Sequence, residues 1–247
     1  MIVTYREQPA LWTRSDEAFV GLWPEYNLHG DVLSRYWPAL VEVFPDFQVM
    51  LYDETIDAVT GRGQAIPCWW DGTTGGLPSG IDAVVEQGFR RHEQGRRPNT
   101  LSALAVEIAP QHQARQLSRV VLQGLRALAA DHGFGDLIVP LRPSWKERYP
   151  LTPIERYVAW TRGDGLPFDP WIRVHHRLGA DLLRPAPQSL RITGTVAQWE
   201  QWTGMRFPES RDYVFPRGLA PLTVEVEADQ GRYWEPNVWM RHPIGSG

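Results

Sequence analysis

Residues 101–140, LSALAVEIAPQHQARQLSRVVLQGLRALAADHGFGDLIVP, decide the fold. Leu101 to Ile108 is apolar at nearly every position, the pattern of a strand buried on both faces. Ala109 to Gln113 makes a turn. From Arg115 onward, Leu117, Val120, Val121, Leu125 and Leu128, with Gly124 on the same stripe, follow a helical period with one buried face. Asp131, His132 and Gly133 close this helix, Gly133 being suited to a left-handed stop. Asp136 to Leu141 then reads as a second buried strand. A helix that starts just after a strand offers unpaired N–H groups and a positive dipole end to an anion above the turn. The plainer reading is a β-α-β crossover that only packs.

Working outward, a short helix is expected after Ser15 and ends before Pro24. Asp31 caps a second, Val32 to Val43. Phe47–Tyr52 and Ile56–Pro67 form an antiparallel hairpin, with Gly61-Arg62-Gly63 marking a bulge or a close backbone approach. Cys68 to Gly80 is a long loop with two adjacent tryptophans, and Ile81 to Glu93 a helix. Beyond the central unit lie short helices at Ile154–Trp160, Trp171–Leu178 and Val196–Trp202, and a terminal hairpin, Leu222–Glu227 with Arg232–Met240. This order predicts an α+β (mixed α/β) fold: helices flank a mostly antiparallel sheet containing one parallel crossover.

The 247 residues are 43% hydrophobic, enough for one large core. A net charge of −4 gives no basic footprint for nucleic acid. The single cysteine, Cys68, excludes an internal disulfide and a Cys-rich metal site. Together with the lack of a signal-peptide pattern or a membrane-length apolar run, it gives a cytoplasmic expectation with no membrane partner. The histidines show no metal-ligand spacing, so no metal is expected. The 12 tryptophans supply flat apolar surface for a core or a ligand cleft.

The element order and the residues at the central turn resemble the GNAT acyltransferase superfamily. In that family the fourth strand ends in a V-x-P-like sequence, and the next helix opens with Q/R-x-x-G-x-G/A. Here Ile108-Ala109-Pro110 stands at the strand end and Gln113-Ala114-Arg115-Gln116-Leu117-Ser118 on the motif, with Gln116 in place of the first glycine and Ser118 of the second small residue. The resemblance implies an acetyl-CoA or other acyl-CoA co-substrate, its pyrophosphate held by the backbone amides of Gln113 to Ser118. A second register matches the family's A-x-x-x-Y-x-x-x-G-F helix: Trp171 to Ala180 fits it, with His175 where the tyrosine stands. The match spans about Met1 to Leu183, so residues 1–183 are expected to form the acyltransferase domain and 184–247 a C-terminal extension packed on it.

The family's chemistry assigns roles. The amide of Ile108 would face the thioester carbonyl, and His175 would give the leaving thiolate its proton, since an imidazole titrates near neutral pH; the alternative is a packed histidine. The base is open. Ser102 and Leu104 occupy the family's usual positions and are not bases; Glu107 is the only acid on the strand, though alternation puts it on the face opposite Ile108. Asp71 and Glu25 are alternatives. For a small-molecule amine acceptor, Glu25 and Asp31 would attract the cation, with Trp23, Tyr26, Trp69 and Trp70 as walls and Asp71 among the candidate substrate-binding residues; the alternative for Asp31 is a helix cap. Three functions stay open: direct acyl transfer to an amine, a silent CoA-binding sensor, and transfer from an acylated carrier protein docked on the Arg90–Arg97 cluster. So does a homodimer.

Overall fold

The computed structural model describes residues 1–245. The strands are β1 (Ile2–Thr4), β2 (Gln48–Asp53), β3 (Ala58–Cys68), β4 (Thr100–Ile108), β5 (Asp136–Leu141), β6 (Asp181–Gly194), β7 (Arg211–Tyr213), β8 (Leu222–Glu225) and β9 (Gln230–Pro243). The α-helices are α1 (Pro9–Arg14), α2 (Leu33–Tyr36), α3 (Leu40–Val43), α4 (Ile81–Glu93), α5 (Leu117–Asp131), α6 (Ile154–Tyr157), α7 (Pro170–Arg177) and α8 (Val196–Thr203). The continuous helix expected over Val32–Val43 is broken into α2 and α3 by a 3-10 turn at Trp37–Ala39. Pro38 has no N–H to continue the ladder.

One sheet carries all nine strands, in the order β1-β2-β3-β4-β5-β9-β8-β7, with β6 paired to β9. Among the described residues only β4 and β5 run parallel, and every other strand pairing is antiparallel. The fold is thus mixed α+β with a mostly antiparallel sheet. The boundary expected at Leu183 falls inside β6, and β9 pairs with β5 from Asp136–Pro243 to Leu141–Val238. The strands of residues 184–245 therefore belong to the same sheet, and Ser246 and Gly247 lie outside the described residues.

Register fixes which residues share a face. Gly61 and Gly63 face α5: a Cβ on Gly63 would stand 2.8 Å from Val121 Cγ1, and one on Gly61 3.2 Å from Val121 Cγ2. The absent side chains let α5 lie close on β3. Ile66, of opposite parity, meets Gly88 of α4. So α5 and α4 cover opposite faces, and Arg62 and Gln64 point to the α4 side. Thr60 is an extra residue in β3 against β2, and Leu104 an extra residue in β4 against β3. The Leu104 bulge kinks β4 just where it leaves β5.

Candidate active site

The turn between β4 and α5 leaves its backbone amides uncapped. Ala114 and Gln116 both adopt left-handed backbone, φ 61° and 59°, which costs a residue with a Cβ on the order of 1 kcal/mol. Gln116 has taken the glycine position while keeping the glycine conformation. Gln113 Nε2 donates to the Ile108 carbonyl at 3.2 Å and ties the turn to the strand end. Arg115 Nη1 lies 3.1 Å from His112 Nδ1. No side chain caps α5 and its first turn has no acid, whereas Asp169 caps α7 and Thr195 caps α8. Residues Gln113 to Gln116 are exposed and Leu117 and Ser118 half-buried. The first-turn amides and the positive dipole end thus stand open to a phosphate.

Beside this turn the sheet opens. β4 and β5 pair only from Thr100–Asp136 to Ser102–Ile138 and then part. The gap is a cavity of about 440 Å³ that reaches through the sheet, from Leu122 of α5 and His175 of α7 to Ser34 of α2 and Ile81 of α4. Its β4 wall is Ala103 to Val106 and its β5 wall Val139 to Leu141. Along that β4 edge no strand among the described residues takes up the backbone groups, which leaves amides open to the cavity. Ile108 lies elsewhere: it pairs with Gly61 and packs under α5, and it does not line the cavity. Ile108 therefore stands outside the gap, and the bulged stretch around Leu104 forms its β4 wall, because the last β4–β5 pair is Ser102–Ile138.

His175 does reach this cavity. It is fully buried on α7, edge-on to Trp171 with ring centroids 4.5 Å apart. Its Nδ1 is 2.9 Å from Nε2 of His242 on β9, and its Nε2 has no partner among the described residues. Burial, and then the charge His242 would carry, holds its pKa well below 6.5. The near-neutral titration expected from sequence is thus overturned: His175 is a neutral imidazole at pH 7. His242 is pushed down to about 4 by burial first and by Arg126 second, with Asp181 opposing. Arg126 of α5 also donates to the Leu178 carbonyl at 3.2 Å, fastening the end of α7.

Glu107 and His175 are not brought together. Glu107 pairs across strands with Arg62, on the face away from α5, and lines a second cavity of about 590 Å³. Trp23 Nε1 donates to its Oε1 at 2.5 Å. Burial raises its pKa, while the Trp23 bond and Arg62 pull the other way. The two cavities adjoin: Trp23, Leu28, Trp37 and Pro38 wall both. Glu25 lines the second cavity and pairs with His29 at 3.0 Å. Tyr26 is buried, its hydroxyl donating to the Arg217 carbonyl at 2.8 Å. Trp69, Trp70 and Asp71 line neither cavity. They follow Cys68, which pairs with Thr100 at the start of β4, about 25 Å of strand away from the turn at its end. Trp70 instead fills the core, and Asp71 accepts from Thr73 in a local turn. The Arg90–Arg97 cluster lies at that same far end, so it does not flank the anion turn.

Sequence reading missed the polar end of the main cavity. Glu235, 2% exposed on β9, accepts from Arg142 Nε and from Asn27 Nδ2, both at 3.0 Å. Arg142 also donates to the Tyr26 hydroxyl at 3.1 Å and the Arg217 carbonyl at 2.9 Å. Asn237 lines the same end. The only sequence signal was a lone acid, Glu235, inside an aromatic-rich terminal strand. Cys68 is fully buried, which pushes its thiol pKa up and rules against a nucleophilic role. Among the described residues, no group of three or more His, Cys, Asp or Glu is placed to hold a metal ion, and no helix is long and apolar enough to cross a membrane.

No protein-family model matches the chain. A curated relative, the arginine N-acetyltransferase avaD of Aspergillus versicolor, is 33% identical over 250 residues, covering 90% of this chain and 86% of its own. Two solved structures share the fold. The loading GNATL domain of CurA from Lyngbya majuscula matches with a TM-score of 0.56 at 16% identity, over 99% of this chain and 97% of that one. A GphF GNAT-like decarboxylase in complex with isobutyryl-CoA matches at 0.57 and 15% identity, over 99% and 100%.

Proposed function

The chain belongs to the GNAT superfamily and is an acyl-CoA-dependent N-acyltransferase, and from that premise we propose that it moves an acetyl group from acetyl-CoA directly to the amine of a cationic amino acid of the arginine type. The observation that carries this reading is the parting of β4 and β5 around a cavity that opens toward both faces of the sheet. Such a gap lets a donor lie on the α5 side while an acceptor enters from the α2 side.

The amides of Ala114 to Ser118 hold the pyrophosphate of the donor, and Arg115 adds charge beside them. The β4 edge around Leu104 donates backbone hydrogen bonds to the thioester carbonyl as it becomes an oxyanion. The Arg142–Glu235 pair, with Asn27 and Asn237, receives the amino-acid head group: Arg142 attracts the carboxylate and Glu235 the ammonium. His175 presents only Nε2 to the cavity, because Nδ1 is occupied by His242. The ammonium first loses one proton to solvent; the neutral amine then attacks, His175 as a neutral donor stabilises the departing sulphur by a hydrogen bond, and the second proton the nitrogen gives up ends on the thiolate.

The test is thiol release from acetyl-CoA, with the product identified by mass, across a panel of amines. The panel holds arginine, lysine, neutral amino acids and simple alkylamines. Arginine is expected to give the highest kcat/KM. Turnover with alkylamines and none with amino acids would refute the acceptor assignment.

A further inference from the structure

The second cavity contains a feature the acyl-transfer reading does not use. Gln64 is 7% exposed and lines it, and its side-chain amide makes no hydrogen bond among the described residues: Oε1 is enclosed, and a half-turn of the amide exchanges it with Nε2. A buried acceptor without a donor is destabilising unless a ligand supplies one. Glu107 lines the same space with one side-chain donor, Trp23. Arg62, directly across from Glu107, is committed elsewhere: its guanidinium binds Asp16 at 2.8 Å, Ser15 Oγ at 2.6 Å and the Trp12 carbonyl, and lies over the Trp12 ring. With Asp16 so paired, Glu107 has no cation of its own in the cavity, and Glu25, bonded to His29 at 3.0 Å, adds a second carboxylate to the lining. Trp23 and Trp37 are shared with the main cavity, so they mark the passage between the two.

We propose that this second cavity is the specificity site for the acceptor's side-chain guanidinium, with Glu107 as its ion-pair partner, Gln64 as an acceptor for one of its N–H groups, and Trp23 and Trp37 flanking its plane. The inference rests on the arginine-type acceptor reading and deepens it. Guanidinium fits the chemistry better than ammonium: it is planar, stacks on indole, and its several N–H donors reach a carboxylate and an amide oxygen together. Glu107 is then a recognition residue rather than the base, in keeping with its position on the face away from the anion turn and outside the main cavity. Acceptors lacking the cation would leave Glu107 and Gln64 unmatched, which is how the site would reject them.

Steady-state kinetics with arginine and with citrulline, in which a neutral urea replaces the guanidinium, test this directly. The wild-type enzyme is expected to favour arginine by tenfold or more in kcat/KM. Glu107→Gln keeps the acceptor for Trp23 and should reduce that preference by tenfold or more, mostly through the KM for arginine. Glu25→Gln, on an exposed side chain, should reduce it by about threefold, and carries the test if Glu107→Gln does not fold. An enzyme that acetylates both substrates equally overturns the guanidinium site but leaves the amino-acid acceptor standing; one that acetylates neither overturns both. An equal fall in kcat for both substrates in Glu107→Gln would make Glu107 the base and also overturn the proposal.

Discussion

Replacing His242 by glutamine asks whether burial holds the His175–His242 pair neutral. His242 has no exposed surface, and its pKa is about 4 in the folded chain against an ordinary 6.5. As pH falls, the unfolded chain takes a proton through 6.5, and the folded chain only near 4. The stability that His242 contributes is therefore complete above pH 6.5 and is lost between pH 6.5 and 4. Linkage gives a loss of about 2 kcal/mol at pH 5 and about 3 kcal/mol below pH 4. For a chain of this length, 2 kcal/mol is about 4–8 °C in Tm. Asp82 works in the opposite sense: burial raises its pKa to about 6, so it favours the fold as pH drops from 6 to 3.8. The wild-type curve mixes these two with His175, whose lowered pKa acts in the same sense as that of His242, and the difference between variant and wild type removes Asp82 and the burial of His175, which both proteins share. Thermal unfolding followed by near-UV circular dichroism at pH 7.5, 6 and 5 provides the measurement. His242→Gln should start about 1 kcal/mol less stable at pH 7.5, from the lost hydrogen bond, and then lose about 2 kcal/mol less than wild type on reaching pH 5. Parallel Tm curves for the two proteins would refute the claim that His242 is buried neutral.

Other perturbations test other parts of the site. His175→Ala should lower kcat by about 10²-fold while the KM for acetyl-CoA moves far less; with His175 neutral throughout, the wild-type kcat profile should have no step at pH 6.5 from this group. Gly63→Ala places a methyl 2.8 Å from Val121 Cγ1 and Val49 Cγ2, a clash worth about 1–3 kcal/mol of stability by denaturant unfolding. By displacing α5 it should also raise the KM for acetyl-CoA. Gln116→Gly relieves the left-handed side chain and clears the approach to the helix amides. The KM for acetyl-CoA should fall, and an unchanged or higher KM would mean the pyrophosphate does not sit there.

The central unit was legible because its signals are local. Thr100–Ile108 and Asp136–Leu141 are short apolar runs between turn residues, and Leu117–Asp131 holds a helical stripe, so period and length identify all three. The motif register, too, located the turn whose backbone is left-handed at Ala114 and Gln116. The acceptor side was not legible. Trp69, Trp70 and Asp71 read as a binding loop from composition alone, whereas Trp23, from a comparable loop, does line both cavities. Nothing in either stretch tells which end of β4 it will meet, since that depends on long-range pairing. Glu235, Arg142, Asn27 and Tyr26 are separated by up to 209 residues in sequence and meet only because β9 returns to the sheet beside β5.

The crossover, the start of α5 and the alternation that turns Glu107 away from Ile108 were readable from the residues alone, because each follows from spacing within a single element. The tertiary structure decided the rest. Where β4 and β5 part depends on the Leu104 bulge and on how few residues the two strands share. Whether His175 carries a charge depends on how deeply the inner face of α7 is buried and on a partner from β9. Which carboxylates share a cavity depends on how the register of β3 and β4 and the α1–α2 region come together. Those are properties of groups far apart in the chain, and their energies exist only once the chain has closed around them.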